Sequence, residues 1–206
     1  MVNKNFALKL VCCIMCFAMT VTLCSCAESE PDNGEAKPTD FKRTISDDNY
    51  IIIQQYVGED TTVRIPKEMD GYPVKVIDFN AFYFTKVETV VIPDSVTEIG
   101  NYAFCHCPAL KNVTFGKGVK KIGDECFAHC FKLEEITLPK NLDSIGNKAF
   151  YMCPKLKTVR FPGDAPKNIG TALFTNTHKD LTIYYKEGTK GWEDTILAES
   201  FALKTW

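Results

Sequence analysis

One 23-residue unit decides the fold of this chain, and residues 122–144 carry it as IGDECFAHCFKLEEITLPKNLDS. Its Ile-Gly pair recurs at intervals of 23, 23 and 24 residues, as Ile99-Gly100, Ile122-Gly123, Ile145-Gly146 and Ile169-Gly170. A phenylalanine follows each pair at a fixed distance, and these residues are Phe104, Phe127, Phe150 and Phe174. Such a period predicts stacked repeats that share one core, because a single unit cannot bury its own apolar residues.

Within the unit, runs of alternating apolar and polar residues predict short strands with one buried face. These runs cover residues 110–115, 133–138 and 156–161. A glycine or proline follows each run and ends the strand. The Val-x-x-Ile-Gly piece predicts a second short extended segment, and Ala-Phe-x-x-Cys fits one helical turn with its apolar residues inward.

Leu-x-x-Val-x-Phe-Pro followed by Val-x-x-Ile-Gly-x-x-Ala-Phe-x-x-Cys resembles the BspA-type leucine-rich repeat, over roughly residues 50–185 in about five units. Thr85 and Thr177 replace the cysteine in the outer units, and Cys126 takes the alanine position. The resemblance implies an α/β solenoid dominated by β-structure. Its leucine-rich repeats of about 23 residues would combine short parallel strands with short helical turns.

The first 25 residues have the pattern of an export signal, because an apolar run over residues 6–23 carries no charge after Lys9. Leu23-Cys24-Ser25-Cys26 resembles the lipobox of bacterial lipoproteins, in which the cysteine carries a diacylglycerol and becomes the new N-terminus. The resemblance implies lipidation of Cys26 and a lipid-anchored place in the cell envelope. Ordinary secretion and a retained anchor helix are the alternatives. The acidic residues after Cys26 resemble a signal that sends some lipoproteins to the outside of the outer membrane, where the body would be exposed on the surface; a plain solvated linker is the alternative.

Composition divides the mature chain into three parts. Residues 26–45 are polar and acidic, with two prolines, and predict a tether that cannot bury a core. Residues 46–185 hold the solenoid and begin with an aromatic and isoleucine-rich N-terminal cap. Residues 186–206 predict a C-terminal cap, a covering helix or turn with Trp192 and Trp206, because an uncovered last repeat would expose the core.

Five cysteines lie in the predicted body, namely Cys105, Cys107, Cys126, Cys130 and Cys153. A buried stack of thiols, disulfides between neighbouring repeats and a metal site are the three interpretations. Cysteines flank His106 and His129 as they do in ligand clusters, but the period sends the thiols inward and the histidines elsewhere. We therefore expect neither a metal nor a cofactor.

The charge balance and the motifs disfavour several functions. The chain has 24 Lys+Arg against 26 Asp+Glu and lacks a basic stripe, so we expect no nucleic-acid partner. It contains neither Gly-x-Ser-x-Gly nor His-Glu-x-x-His, and no group converges on carboxylate pairs such as Glu134-Glu135. We predict that the protein is not an enzyme and has no small-molecule substrate.

Outward-facing strand positions predict a flat polar strip, and this candidate binding face consists of Thr89, Val91, Asn112, Thr114, Glu135, Thr137, Thr158 and Arg160. Exposed residues chosen only for β-propensity are the alternative. The family resemblance implies a monomeric surface lipoprotein that binds protein ligands in adhesion to host matrix or neighbouring cells. A non-catalytic structural or glycan-capturing component of an envelope complex is the other hypothesis, although the strip offers no aromatic platform for a glycan.

Overall fold

The repeats form a β-solenoid of about seven turns, with many strands and little helix. A computed structural model describes residues 34–206. Each regular turn supplies one strand to a back row, one strand to a front row and a turn segment that carries the repeat phenylalanine. The predicted β-dominated solenoid with short parallel strands is confirmed. The predicted signal peptide of residues 1–25 and the predicted lipid site Cys26 lie outside the described residues.

The back row is one largely parallel sheet that runs along the solenoid. Its strands are β1 (Phe41–Ile45), β2 (Ile51–Tyr56), β4 (Glu68–Met69), β5 (Tyr72–Ile77), β7 (Glu98–Ile99), β9 (Lys121–Ile122), β11 (Ser144–Ile145) and β13 (Asn168–Ile169). The isoleucine of each Ile-Gly pair stands opposite its counterpart in the next repeat, as Ile122 does opposite Ile145. Both side chains are buried, so the motif gives every turn one core residue on this side.

The front row consists of two parallel sheets. Its strands are β3 (Thr62–Arg64), β6 (Thr89–Val91) and β8 (Asn112–Thr114) in the first sheet, and β10 (Glu135–Thr137), β12 (Thr158–Phe161), β14 (Thr182–Tyr185) and β15 (Leu203–Thr205) in the second. Their register is one repeat, with Val90 opposite Val113 and Ile136 opposite Val159. The inward apolar side chains of neighbouring strands therefore lie side by side. The polar residues that alternate with them face outward, as the sequence pattern predicts.

An antiparallel hairpin of β1 and β2 covers the N-terminal end of the solenoid. Tyr56 stacks on Phe82 with ring centroids 5.1 Å apart, and buried Phe41 packs on Tyr56 at 5.5 Å. Strand β1 falls within residues 26–45, the segment that the sequence predicts to be a tether. Since Phe41 is part of the core, the folded body begins earlier than that prediction places it.

The segment around each repeat phenylalanine consists of turns, so the prediction of one helical turn there is wrong. Residues two positions before and two positions after the phenylalanine have left-handed backbone, with φ of 59° at Tyr102 and 55° at His106. The amide of Phe104 donates to the carbonyl of Cys126 in the next repeat at 2.8 Å. Hydrogen bonds between repeats therefore replace the bonds that a helix would make within one segment.

A column of stacked phenylalanines fills the centre of the solenoid, and it consists of Phe82, Phe104, Phe127, Phe150 and Phe174. Neighbouring ring centroids lie 4.7 to 5.5 Å apart, and all five rings are buried. Stacked aromatic pairs stabilise a core beyond the burial of their area. The inward direction predicted for these residues is confirmed.

The glycine of the Ile-Gly pair is required by close approach between neighbouring turns. A Cβ atom on Gly123 would lie 2.5 Å from the backbone nitrogen of Asn101 in the preceding turn. The side chain of Asn101 in turn accepts the amide of Asp124 at 2.8 Å, and that of Asp124 accepts the amide of Asn147 at 2.6 Å. Close backbone packing and this polar ladder together fix the spacing of the turns.

A short helix, α1 (Ile196–Ser200), and β15 close the C-terminal end. Trp192 is buried with its ring centroid 4.9 Å from that of Phe161, and Phe201 lies edge-on to Phe174 at 5.6 Å. These contacts cover the last repeat. Within residues 34–206 the remaining helix is the 3-10 turn Pro38–Asp40, and this part of the chain has no helix with the length and apolarity that a bilayer span requires.

Candidate interaction surfaces

The eight residues predicted to form a binding strip lie on the front row, in strands β6, β8, β10 and β12. Thr89 stands opposite Asn112, and the Asn112 amide donates to the Thr89 hydroxyl at 3.4 Å. Glu135 accepts from the Arg160 guanidinium at 2.9 Å across β10 and β12. The fold thus brings the predicted residues onto one face, in two groups of four.

A cleft separates the two groups, because the front row is interrupted between β8 and β10. No strand pairing joins β8 and β10 in the described structure. The cleft has a volume of about 440 Å³, and Thr114 and Thr137 are among the residues that line it. Val113 and Phe115 are only partly buried there, whereas Val90 is fully buried. The strip therefore contains a shallow apolar floor that the sequence pattern did not indicate.

Ion pairs between successive repeats flank the strip. The Lys111 ammonium lies 2.8 Å from the Glu88 carboxylate, and Lys155 lies 3.9 Å from Glu134. The hydrogen bond from Lys111 and its positive charge lower the pKa of the Glu88 carboxyl. Exposed pairs of this kind contribute little to stability, so their main effect here is an alternating charge pattern beside the strip.

All five cysteines of the body are buried and free. The repeat cysteines donate to the carbonyl of the preceding repeat phenylalanine, as Cys107 does to Phe82 at 3.0 Å and Cys153 does to Phe127 at 3.1 Å. Burial raises the pKa of the Cys107 thiol to about 11. The structure shows a buried stack of thiols, which is the first of the three interpretations of these cysteines. Residues 34–206 hold no group of three or more potential metal ligands.

The two histidines contribute instead to a cluster of rings on the turn side, which the sequence analysis missed. We call this cluster the aromatic ridge, and it consists of Tyr83, Phe84, His106, His129, Phe131 and Tyr151. Phe84, His106 and His129 all occupy the position two residues after the repeat phenylalanine. That recurrence at one repeat position is the signal that could have revealed the ridge.

The rings at this recurring position stack along the solenoid. His106 lies between Phe84, at 4.7 Å, and His129, at 4.1 Å, with interplanar angles of 2° and 6°. Burial and the neighbouring His106 lower the pKa of His129. A metal ion binds imidazole in the plane of its ring, so two parallel stacked rings cannot aim their nitrogens at one ion. The histidines therefore form part of a surface and not a metal site.

The sequence of the repeats matches a known protein family. A family model for the BspA-type leucine-rich repeat region matches residues 75–204 in six copies. This chain is a member of the BspA-type leucine-rich-repeat family. The match extends beyond residue 185, where the resemblance drawn from the sequence ended, and reaches β15.

Solved structures of bacterial leucine-rich-repeat proteins are similar to this BspA-type chain. A leucine-rich-repeat protein of T. pallidum is 27% identical with a TM-score of 0.71, covering 83% of this chain and 81% of its own. A leucine-rich-repeat protein of Bacteroides capillosus is 26% identical with a TM-score of 0.54, covering 73% and 96% respectively. No curated protein matches this chain. Leucine-rich repeats generally bind proteins, and the BspA-type family is typically non-catalytic.

Two outer repeats carry threonine at the BspA-type cysteine position. The hydroxyl of Thr85 donates to the Phe82 carbonyl at 2.8 Å, and that of Thr177 donates to the Phe174 carbonyl at 2.7 Å. Each threonine therefore bonds within its own repeat, whereas each repeat cysteine donates to the phenylalanine carbonyl of the preceding repeat.

Proposed function

We propose that this protein is a surface-anchored lipoprotein whose solenoid binds protein ligands and mediates adhesion to host matrix or neighbouring cells. The single observation that carries the proposal is the alignment of polar side chains, in register, along the front row of a BspA-type solenoid. Repeat proteins use such extended faces to hold ligands. Cys26 would carry the lipid, and the polar residues after it would give the body reach.

The chemistry of the strip suits a protein ligand. Its hydroxyls, its amide and the Glu135–Arg160 pair offer donors and acceptors on strands that are already ordered. A rigid face loses little conformational entropy on binding, which favours affinity. The cleft between β8 and β10 adds Val113 and Phe115 as an apolar floor for an anchoring side chain of the ligand.

The chemistry of the described residues supports binding as the function better than it supports catalysis. The strip and its cleft present hydroxyls, amides and exposed ion pairs, and no pair of groups there is arranged as a general acid and base. Burial raises the pKa of the Cys105 and Cys107 thiols, so they are poor nucleophiles. We therefore assign the protein a non-catalytic role.

The test measures binding of the unlipidated body to a panel of purified extracellular-matrix proteins and to whole host cells. Thr114→Arg and Thr137→Arg each place a bulky charge at the cleft, and we expect both variants to lose binding. Asn168→Arg is the matched control, because Asn168 is an exposed strand residue on the back row. Equal binding by all variants would exclude the strip as the binding face. Binding no stronger than that of an unrelated lipoprotein would exclude adhesion.

A further inference from the structure

The aromatic ridge is the most conspicuous apolar surface of the described solenoid. Phe84 is 64% exposed, Tyr83 41% and Phe131 40%, and their rings join through His106 and His129. Single exposed apolar residues are ordinary, but a contiguous patch rimmed by polar residues marks an interaction site. The ridge lies on the turn side, and Lys132 beside it lines a pocket with the strip residues Asn112, Glu135 and Thr158.

The arrangement of the rings restricts what can cover the ridge. The faces of His106 are occupied by Phe84 and His129, so this ring offers only its edges to a ligand. A glycan that stacks on aromatic faces finds few faces free in the stack. Rings with a polar tip and an apolar body suit the boundary between water and lipid, where tyrosine and similar residues concentrate.

Three lysines lie beside the ridge, together with the Glu125 carboxylate, whose charge acts on His129. Lys86 and Lys132 follow its rings in sequence, and the Lys148 ammonium lies 5.7 Å from the centre of the Tyr151 ring. All three lysines are exposed, and none forms an ion pair in the described structure. Lysines near a bilayer attract anionic headgroups with about 1 kcal/mol each, and their stems can lie along apolar surface.

The proposed anchor holds the body close to a bilayer. The chain joins the front row where the Ala36 amide donates to the Arg64 carbonyl at 2.8 Å. Residues 27–35 separate that point from Cys26 and span at most about 30 Å when fully extended. A tether this short maintains an effective concentration in the millimolar range, so even weak contacts of the ridge with lipid are populated.

We propose that the aromatic ridge rests on the lipid bilayer that carries the anchor, with its rings at the interface and its lysines at the headgroups. This inference rests on the proposed lipidation of Cys26. Phe84 and Tyr83 precede β6, the front-row strand beside β3, which contains Arg64, so the most exposed rings lie toward the tethered end.

Hydroxyl-radical footprinting tests the docking on the full lipoprotein, reconstituted in vesicles that contain phosphatidylglycerol and phosphatidylethanolamine. The reference is the unlipidated body in solution, whose residues 34–206 form one compact unit. We expect oxidation of Tyr83, Phe84 and Phe131 to fall several-fold in the vesicles. Exposed apolar residues elsewhere are the matched internal controls and should stay reactive, namely Val57, Ile196 and Trp206.

Each outcome separates docking from anchoring. Protection confined to the ridge rings would support the proposal, provided that Tyr83 loses its protection in the doubly substituted lipoprotein Phe84→Ser and Phe131→Ser. Vesicles that float with the protein while its ridge rings stay reactive would overturn docking and leave the anchor intact. A lipoprotein that fails to float would overturn both, and ridge protection in solution together with a dimeric mass would assign the ridge to a second copy of the chain.

Discussion

Replacing Phe127 by alanine removes the middle ring of the phenylalanine column. Phe127 is fully buried between Phe104, at 5.3 Å, and Phe150, at 5.5 Å. Deleting a buried aromatic ring costs roughly 3–5 kcal/mol, because both the burial and the contacts around the resulting cavity are lost. For a domain of this size that loss lowers Tm by about 6–20 °C.

The assay is urea unfolding of the body followed by circular dichroism, under reducing conditions that keep the thiols free. Phe131→Ala is the matched control, because it removes the same ring from an exposed position four residues away. We expect the control to change the free energy of unfolding by no more than about 0.5 kcal/mol. Equal losses in the two variants would refute the stacked column as the core of the fold.

Three further predictions concern the turn spacing, the thiols and the anchor. Gly146→Ala should cost about 1–3 kcal/mol, because its Cβ would meet the backbone of Asp124; an unchanged unfolding curve would contradict the close approach. Burial raises the pKa of Cys105 to about 12, and an unfolded thiol titrates near about 8.5. Between these values only the unfolded state releases that proton, so stability should fall as pH rises, by up to about 1.4 kcal/mol per pH unit for this thiol. Urea midpoints from pH 7 to 10 measure the fall, and Cys105→Ala should reduce it. Cys26→Ala should move the protein from the detergent phase to the aqueous phase; unchanged partitioning would exclude lipidation at this residue.

The strands and the core were predictable because they depend on local alternation and on a strict period. The buried sites of Ile122, Phe127 and Ile136 follow from one repeat unit, since stacking gives every unit the same neighbours. The match to the BspA-type family model also finds repeated units over this part of the chain.

The turn segments were not predictable from the same pattern. A phenylalanine and a cysteine three residues apart fit one helical turn, but the amide of Phe104 bonds to the next repeat and His106 adopts a left-handed backbone. Those hydrogen bonds exist only after the turns have stacked. Helix preference in a short segment is weak enough for tertiary contacts to override it.

Surface features depended most on three-dimensional placement. The strip could be predicted from the outward strand positions. The cleft could not, because it depends on a missing strand pairing between β8 and β10 that no residue type indicates. The ridge combines a repeat position, occupied by Phe84 and His106, with rings such as Tyr83 and Phe131 from other positions. Only the fold brings these rings together.

Protease shaving of intact native cells tests the central claim most directly, that the solenoid is anchored outside the cell for binding. The body is detected with an antibody in the cells and in the supernatant, beside a periplasmic control protein. We predict that protease removes the body from the cells while the periplasmic control survives. A body that stays protected until the outer membrane is broken would contradict the surface adhesin and would favour a periplasmic scaffold.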